Sequence, residues 1–376
     1  MRQNYDDIRP YTDAEVPDAI TRMVHNDLFE RVVNYLFPGK SVEEFREMCL
    51  QVKTIDEFQV GIMWPIIQSI IHQTTKGVET QGFDRQEEQK HIYICNHRDI
   101  VLDAAFTDYF LRAHHKDTVE ITFGSNLMKG ELVIDVGKCN RMFRLARGGN
   151  SRDFYKNSIE VSSYMRDVVL MEKRSVWIAQ RNGRTKNGDD KTEMAVLKMF
   201  SLGSDKPFVE NMAELSICPI SISYEYEPCD FRKTQEVFIS RYQRYEKTPD
   251  EDLNSILMGV MQPKGRVKLV MTKPISESEL AYCDRFEKNH KYQKLASIID
   301  QRIYENYMLW PNNYIAYDIL FQSCKYVGKY TEAQKKEFIA YMDAGLPMLI
   351  GDPDELREIF LGIYANPVCN YERMFQ

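Results

Sequence analysis

The stretch 91–106, HIYICNHRDIVLDAAF, places a histidine directly after one apolar run and directly before another. In open α/β sheets, ligands bind beyond the carboxyl ends of the strands. A histidine leaving such a strand is positioned to act as a general base, because its neutral form is available near pH 7. His97 is that residue, and Asp99 and Asp103 lie close enough in sequence to orient its imidazole. An oriented base of this kind takes the proton of an alcohol, whose oxygen then attacks a carbonyl carbon. The competing reading of the same residues is structural. His97 then caps a helix, and Asp99 sits in its first turn, where the helix dipole favours a carboxylate.

Two basic clusters follow. The first, 141–149 (RMFRLARGG), combines arginines with adjacent glycines. Arginine forks bind phosphate in pairs of hydrogen bonds, and glycine lets backbone approach an anion. Arg144 and Arg147 are the candidates here, and a solvated basic face is the alternative. The second, 175–190 (SVWIAQRNGRTKNGDD), is a strand-like run ending in a glycine-containing loop that carries Arg181, Arg184 and Lys186. Such a loop is a plausible phosphate cradle.

Strands and helices must hold these groups. Five segments rich in β-branched and aromatic residues read as strands: HIYIC (91–95), VEITFG (119–124), SVWIAQ (175–180), CPISISYEY (218–226) and RVKLVMT (266–272). Helical candidates lie between them at 102–114, 152–171 and 191–202. Strands joined by helical crossovers predict an α/β fold with a mixed, largely parallel sheet covered by helices. Before this part, residues 1–88 read as a helical N-terminal region. Val32, Val33, Leu36 and Phe37 recur at helical spacing, Ser41 and Glu44 form a capping-box pattern, and the polar stretch 76–90 reads as a linker. Residues 89–275 carry the α/β unit, and 276–376 read as a helical C-terminal region with candidates at 292–309 and 333–343.

The chain has 376 residues, 43% of them apolar, enough for a large core; its net charge of −7 implies no general affinity for nucleic acid. An anion site must therefore be a local cluster on an acidic background. The N-terminus lacks a basic region followed by an apolar stretch, so no secretory signal is expected. The most apolar early segment, 60–71 (VGIMWPIIQSII), falls short of the ~20 residues a spanning helix needs. Cys49, Cys95, Cys139, Cys218, Cys229, Cys283, Cys324 and Cys369 are scattered without a C-x-x-C pair, which reads as reduced thiols and no metal site.

Taken in order, these segments resemble the blocks of the glycerolipid acyltransferases, the family of glycerol-3-phosphate and lysophosphatidate acyltransferases. The resemblance covers roughly 92–226. That family has a histidine, four residues and an aspartate; the histidine is the base and the aspartate holds it. His97 matches. Asp103 follows it after five residues, so Asp103 is the partner if the turn absorbs the extra residue, and Asp99 takes the role otherwise. The resemblance implies that Arg144 and Arg147 contact the acceptor phosphate. In the third block Arg184, Thr185 and Lys186 fall on the family's Arg-Ser-Arg and Gly183 on a small position, while its glutamate falls on Arg181 or Asn182. Pro219 opens the fourth block, an apolar strand that in the family shapes the acyl or acyl-carrier site; a buried core strand is equally compatible.

The implied activity is transfer of a fatty acyl group from acyl carrier protein or coenzyme A thioester to a hydroxyl of glycerol-3-phosphate or lysophosphatidate, with no metal or cofactor. The implied location is cytoplasmic, peripheral at the inner face of a membrane. Trp64, Ile66, Ile67, Ile70 and Ile71 would form an interfacial helix, although such a stripe is more often core packing. Two other readings stay open: O-acylation of a non-phosphorylated lipid such as an acylated amino acid, and a lipid-binding protein on the same fold without catalysis. A hydrolase is disfavoured by the lack of a G-x-S-x-G elbow. Oligomeric state is not legible.

Overall fold

The computed structural model describes the chain apart from residues 1–4, 38, 87–88, 129, 147–150, 249–250 and 376. Its centre is a seven-stranded sheet in the order β1-β7-β6-β2-β5-β3-β4. The strands are β1 (Thr75–Gln81), β2 (Ile92–Cys95), β3 (Glu120–Gly124), β4 (Met142–Leu145), β5 (Val176–Ala179), β6 (Cys218–Tyr224) and β7 (Gly265–Met271). Neighbours pair in parallel except β6 with β7. The fold is α/β, with a mixed, largely parallel sheet flanked by helices.

The central strands are apolar on both faces because both faces are covered. Alternation along each strand divides its side chains between two cores. Ile92, Ile94, Val176 and Ile178 pack with the helices Ser151–Leu170 and Asn289–Glu305 on one face. Tyr93, Cys95, Trp177, Ile220 and Ile222 pack on the other, against the helices Trp64–Thr74 and Leu102–Ala113. The predicted strands thus appear in place. Two more appear where none was expected. Thr75–Gln81, which overlaps the start of the polar stretch read as a linker, pairs with β7 as an edge strand, with a bulge between Thr75 and Val78. Met142–Leu145, inside the first basic cluster, is the opposite edge.

The N-terminal helices bury their own core of Val16, Ile20, Val33, Phe45, Phe58 and their neighbours, reaching Leu132 and Cys139 of the helix Glu131–Cys139. Ser41 caps the helix Val42–Leu50 by accepting from the Glu44 N–H at 3.3 Å. The stripe considered for a membrane interface is core packing instead. Ile67 and Ile70 are buried against the sheet, Ile66 and Ile71 pack on that cluster, and Trp64 lies 4.5 Å from the Tyr109 ring. Among the described residues no helix is long and apolar enough to cross a membrane.

The C-terminal helices lie against the loops that follow the strands. The longest, Pro353–Arg373, starts at a proline in its first turn with Asp352 accepting from the Asp354 and Glu355 N–H groups. Its Tyr364 hydroxyl donates to Asp230 at 2.6 Å and accepts from the Glu227 N–H at 3.0 Å. Gly188 (φ +76°) sits so close to it that a Cβ would lie 2.0 Å from the Ile363 carbonyl oxygen. The loop carrying Arg184 and Lys186 is thus braced from behind by this helix. None of the eight cysteines is in a disulfide.

Candidate active site

His97 is the second residue after β2, at the carboxyl end of the central strands. Asn96 continues the strand with its side chain, accepting from the Ile222 N–H at 2.8 Å and donating to the Ile222 carbonyl at 3.0 Å. That pairing fixes where the chain leaves the sheet.

The turn between His97 and the helix Leu102–Ala113 is organised around Asp103, which is fully buried. Its Oδ2 accepts from His97 Nδ1 at 3.0 Å, from the Arg98 N–H at 2.7 Å and from the Asp99 N–H at 2.9 Å. Its Oδ1 accepts from the Tyr224 hydroxyl at 2.9 Å. The fifth residue of the spacer is absorbed by this tight wrap, which turns two backbone N–H groups onto the carboxylate. Asp99 does not reach the imidazole. Its Oδ1 accepts from the N–H groups of Val101 and Leu102 at 2.9 and 2.8 Å, which braces the turn leading into the helix. Its Oδ2 faces Gly259, where a Cβ would come within 2.2 Å. Asp99 thus lies three residues before the helix rather than in its first turn, and Asp103 is the histidine's partner. With Nδ1 committed as donor to a carboxylate, the lone pair of His97 is on Nε2, the arrangement a general base requires.

Arg98 is placed otherwise than a cation beside a reacting histidine suggests. It is buried and paired, its Nη2 2.6 Å from Asp190 and its Nη1 3.3 Å from Glu227. Asp190 also accepts from Asn96 Nδ2 at 3.1 Å, the Thr185 hydroxyl at 2.6 Å and the Tyr307 hydroxyl at 2.6 Å. Lys233 completes the network, donating to Glu227 at 2.6 Å and to the Arg98 carbonyl at 2.7 Å. The Thr185 N–H donates to the His97 carbonyl at 2.7 Å. The histidine turn and the Arg184–Lys186 loop are thereby locked to one another through buried charges with several partners each.

Two cavities meet at His97, which is 8% exposed. One, of about 500 Å³, is polar and lined by Arg181, Arg184, Lys186 and Lys247 as well as Asp252 and Asn126. Lys247 is held by Asp252 at 2.5 Å, and Lys186 touches Glu236. Burial, then the charges of Lys247 and Arg184, pull the Lys186 ammonium down to about 8. Among the described residues no carboxylate pairs with Arg181 or Arg184, although Arg184 is only 8% exposed. A buried, uncompensated guanidinium is costly unless an anion joins it. The other cavity, of about 250 Å³, is mostly apolar, lined by Ile100, Ala104, Trp177, Ile178, Val196 and Met199 among others. The Trp177 ring lies edge-on to the imidazole, 6.1 Å between centroids. The two cavities share His97, Ile100, Leu127, Arg181 and Asn182.

The remaining expected residues are not in this arrangement. Arg144 is exposed on the edge strand β4, and its neighbours Met142 and Leu145 line the apolar cavity instead. Arg147 lies outside the described residues. Pro219 is buried in β6 opposite Ile94, its carbonyl accepting the Thr272 N–H and hydroxyl, and it lines neither cavity. It sits in a buried core strand, as the core-strand reading predicts. Lys247 was not anticipated. It lies in a polar run far along the chain with no motif around it, and only the fold brings it to the anion cavity.

No protein-family model matches the chain, and neither does any curated protein. Among solved structures it is similar to the 1-acyl-sn-glycerophosphate (LPA) acyltransferase from Thermotoga maritima, with 10% sequence identity and a TM-score of 0.37 over 78% of this chain and 97% of that one. At that distance the chemistry has to be read from this chain's own geometry.

Proposed function

We propose that the protein is an acyltransferase that moves a fatty acyl group from a thioester, acyl carrier protein or coenzyme A, to a hydroxyl of an anionic acceptor, glycerol-3-phosphate or lysophosphatidate. One observation carries this reading. His97, oriented through Nδ1 by a buried Asp103, lies on the wall common to a cationic cavity and an apolar one. Acyl transfer to a charged alcohol needs that juxtaposition, since the acceptor is a hydroxyl tied to an anion and the donor a carbonyl tied to a hydrocarbon.

His97 Nε2 takes the hydroxyl proton, and the oxygen bonds to the thioester carbonyl carbon. The tetrahedral intermediate collapses with cleavage of the C–S bond, and the imidazolium returns the proton to the leaving thiolate. Asp103 keeps the imidazole in the reactive tautomer and stabilises the imidazolium. Arg181 and Arg184 hold the acceptor anion, which fixes the hydroxyl before it reacts. The enzyme would work on the cytoplasmic side, peripheral to the membrane that receives its product.

The test is thiol release from palmitoyl carrier protein or palmitoyl-coenzyme A, with glycerol-3-phosphate, lysophosphatidate or a hydroxy-acyl amino lipid as acceptor. Acceptor-dependent release that falls by about 10²–10⁴-fold in His97→Ala supports the proposal and names the acceptor. Release from none of these mixtures by folded protein refutes it.

A further inference from the structure

A third cavity, of about 290 Å³, lies between the N-terminal helices, the helix Glu251–Met261 and the sheet. Its character differs from the polar cavity at His97. Asn140 is the one side chain with a hydrogen-bonding oxygen or nitrogen in a wall otherwise built of residues such as Ile20, Phe45, Ile62, Leu132 and Val260. The single π-helical turn among the described residues, Gln59–Met63, supplies Ile62 and Met63 to that wall. Such turns are uncommon and collect at functional positions.

Two further observations say what occupies it. Val101, Phe123 and Met142 line both this cavity and the apolar cavity at His97, so the two are separated by a single layer of side chains. The mouth of the cavity is also apolar. Val32 and Leu253 belong both to its lining and to the surface, at 38% and 44% exposure. Leu28 and Tyr35, one turn to either side of Val32, are 41% and 40% exposed, and the Tyr35 hydroxyl donates across the mouth to the Leu257 carbonyl at 3.3 Å. A rim of large apolar side chains facing water is unfavourable unless it meets an apolar phase. An all-hydrocarbon interior offers nothing to the backbone amides of a peptide.

From this we infer that the cavity binds one hydrocarbon chain of an amphiphile, and that the Val32–Leu253 rim seats on the lipid surface from which the chain is drawn. The inference rests on the acyl-transfer reading only for the chain's purpose: it places a lipid tail one layer of side chains from the apolar cavity at His97. The binding itself needs no turnover. The helix Glu251–Met261 fits such a ligand, since Asp252 lines the cationic cavity while Leu253, Ile256, Leu257 and Val260 line the hydrocarbon one.

The probe is pyrenedodecanol, an uncharged chain without a headgroup for the arginines, titrated into the whole protein by fluorescence, together with flotation on neutral phosphatidylcholine vesicles. Val136→Trp, which fills the cavity, is expected to weaken pyrenedodecanol binding by about tenfold or more, the worth of roughly two buried methylene groups. Val32→Glu with Leu253→Glu, both at exposed positions that do not threaten folding, is expected to abolish flotation. Arg184→Gln is expected to leave both unchanged. Pyrenedodecanol that fails to bind the parent protein, or binds Val136→Trp equally, overturns the inference. Flotation that survives the two rim glutamates overturns the docking surface even if Val136→Trp does not fold. A protein that binds the probe as predicted yet releases no thiol with any acceptor keeps this inference and refutes the acyl-transfer reading instead.

Discussion

The candidate site separates its tasks among individual side chains. Asp103 accepts four hydrogen bonds, so its carboxylate is both the histidine's orienting partner and the nucleus of the turn. Arg184 has the opposite character, with a buried guanidinium and no carboxylate against it among the described residues. Its proposed role is therefore to bind the acceptor anion. Arg184→Gln should raise KM for the anionic acceptor by roughly tenfold to a hundredfold, the worth of a hydrogen bond to a charged group, and leave kcat within a few-fold. Steady-state kinetics with varied acceptor check this; an equal fall in kcat with unchanged KM would place Arg184 in the chemical step instead.

At the scale of elements, the loops owe their positions to buried charge more than to apolar contact. Asp190 gathers Arg98, Asn96, Thr185 and Tyr307 and so ties the histidine turn to the Arg184–Lys186 loop and the C-terminal helices. Asp190→Ala leaves the Arg98 guanidinium buried with Glu227 as its remaining carboxylate. It should cost about 3–5 kcal/mol of stability, measured by urea unfolding. A loss under 1 kcal/mol would show that the network is dispensable. This scale also explains what the sequence allowed. The five apolar strands and the histidine between strand and helix were legible because parallel strands covered on both faces are continuously apolar. β1 was hidden because TKGVETQ is an exposed edge strand with a glycine and a bulge, and it reads as polar linker. Arg144 misled because an arginine in a basic cluster looks the same whether its strand turns it toward the ligand or toward water. The choice of Asp103 over Asp99 depended on the path of the turn, which neither composition nor spacing determines, and Lys247 depended on the tertiary fold alone.

At the scale of the whole molecule, several buried carboxylates favour their protonated forms. Burial pushes Asp108 and Glu120 up to about 7 and Asp230 and Asp300 up to about 6. Between their unfolded values near 4 and these folded values, the folded protein binds more protons than the unfolded chain. Stability therefore falls as pH rises through that window. Glu15 acts in the opposite sense, lowered to about 2 by Arg9, but only below its ordinary value of 4.5. The urea midpoint should thus be higher at pH 5 than at pH 7.5, and a higher midpoint at pH 7.5 would contradict this account of the core. The same molecule holds three cavities, cationic, apolar and hydrocarbon, so that one histidine turn borders the first two and its helix start borders the third.

The central claim is that His97 and Asp103 act as one unit in proton transfer, and a double-mutant cycle in the thiol-release assay tests it most directly. Turnover would be measured for the parent protein, His97→Ala, Asp103→Asn and the double variant, with unfolding curves confirming that each is folded. The account predicts that the double variant is no slower than His97→Ala alone, because an aspartate that acts through the imidazole has nothing left to orient once the imidazole is gone. Losses that multiply in the double variant, or a His97→Ala protein that turns over at the parent rate, would contradict it.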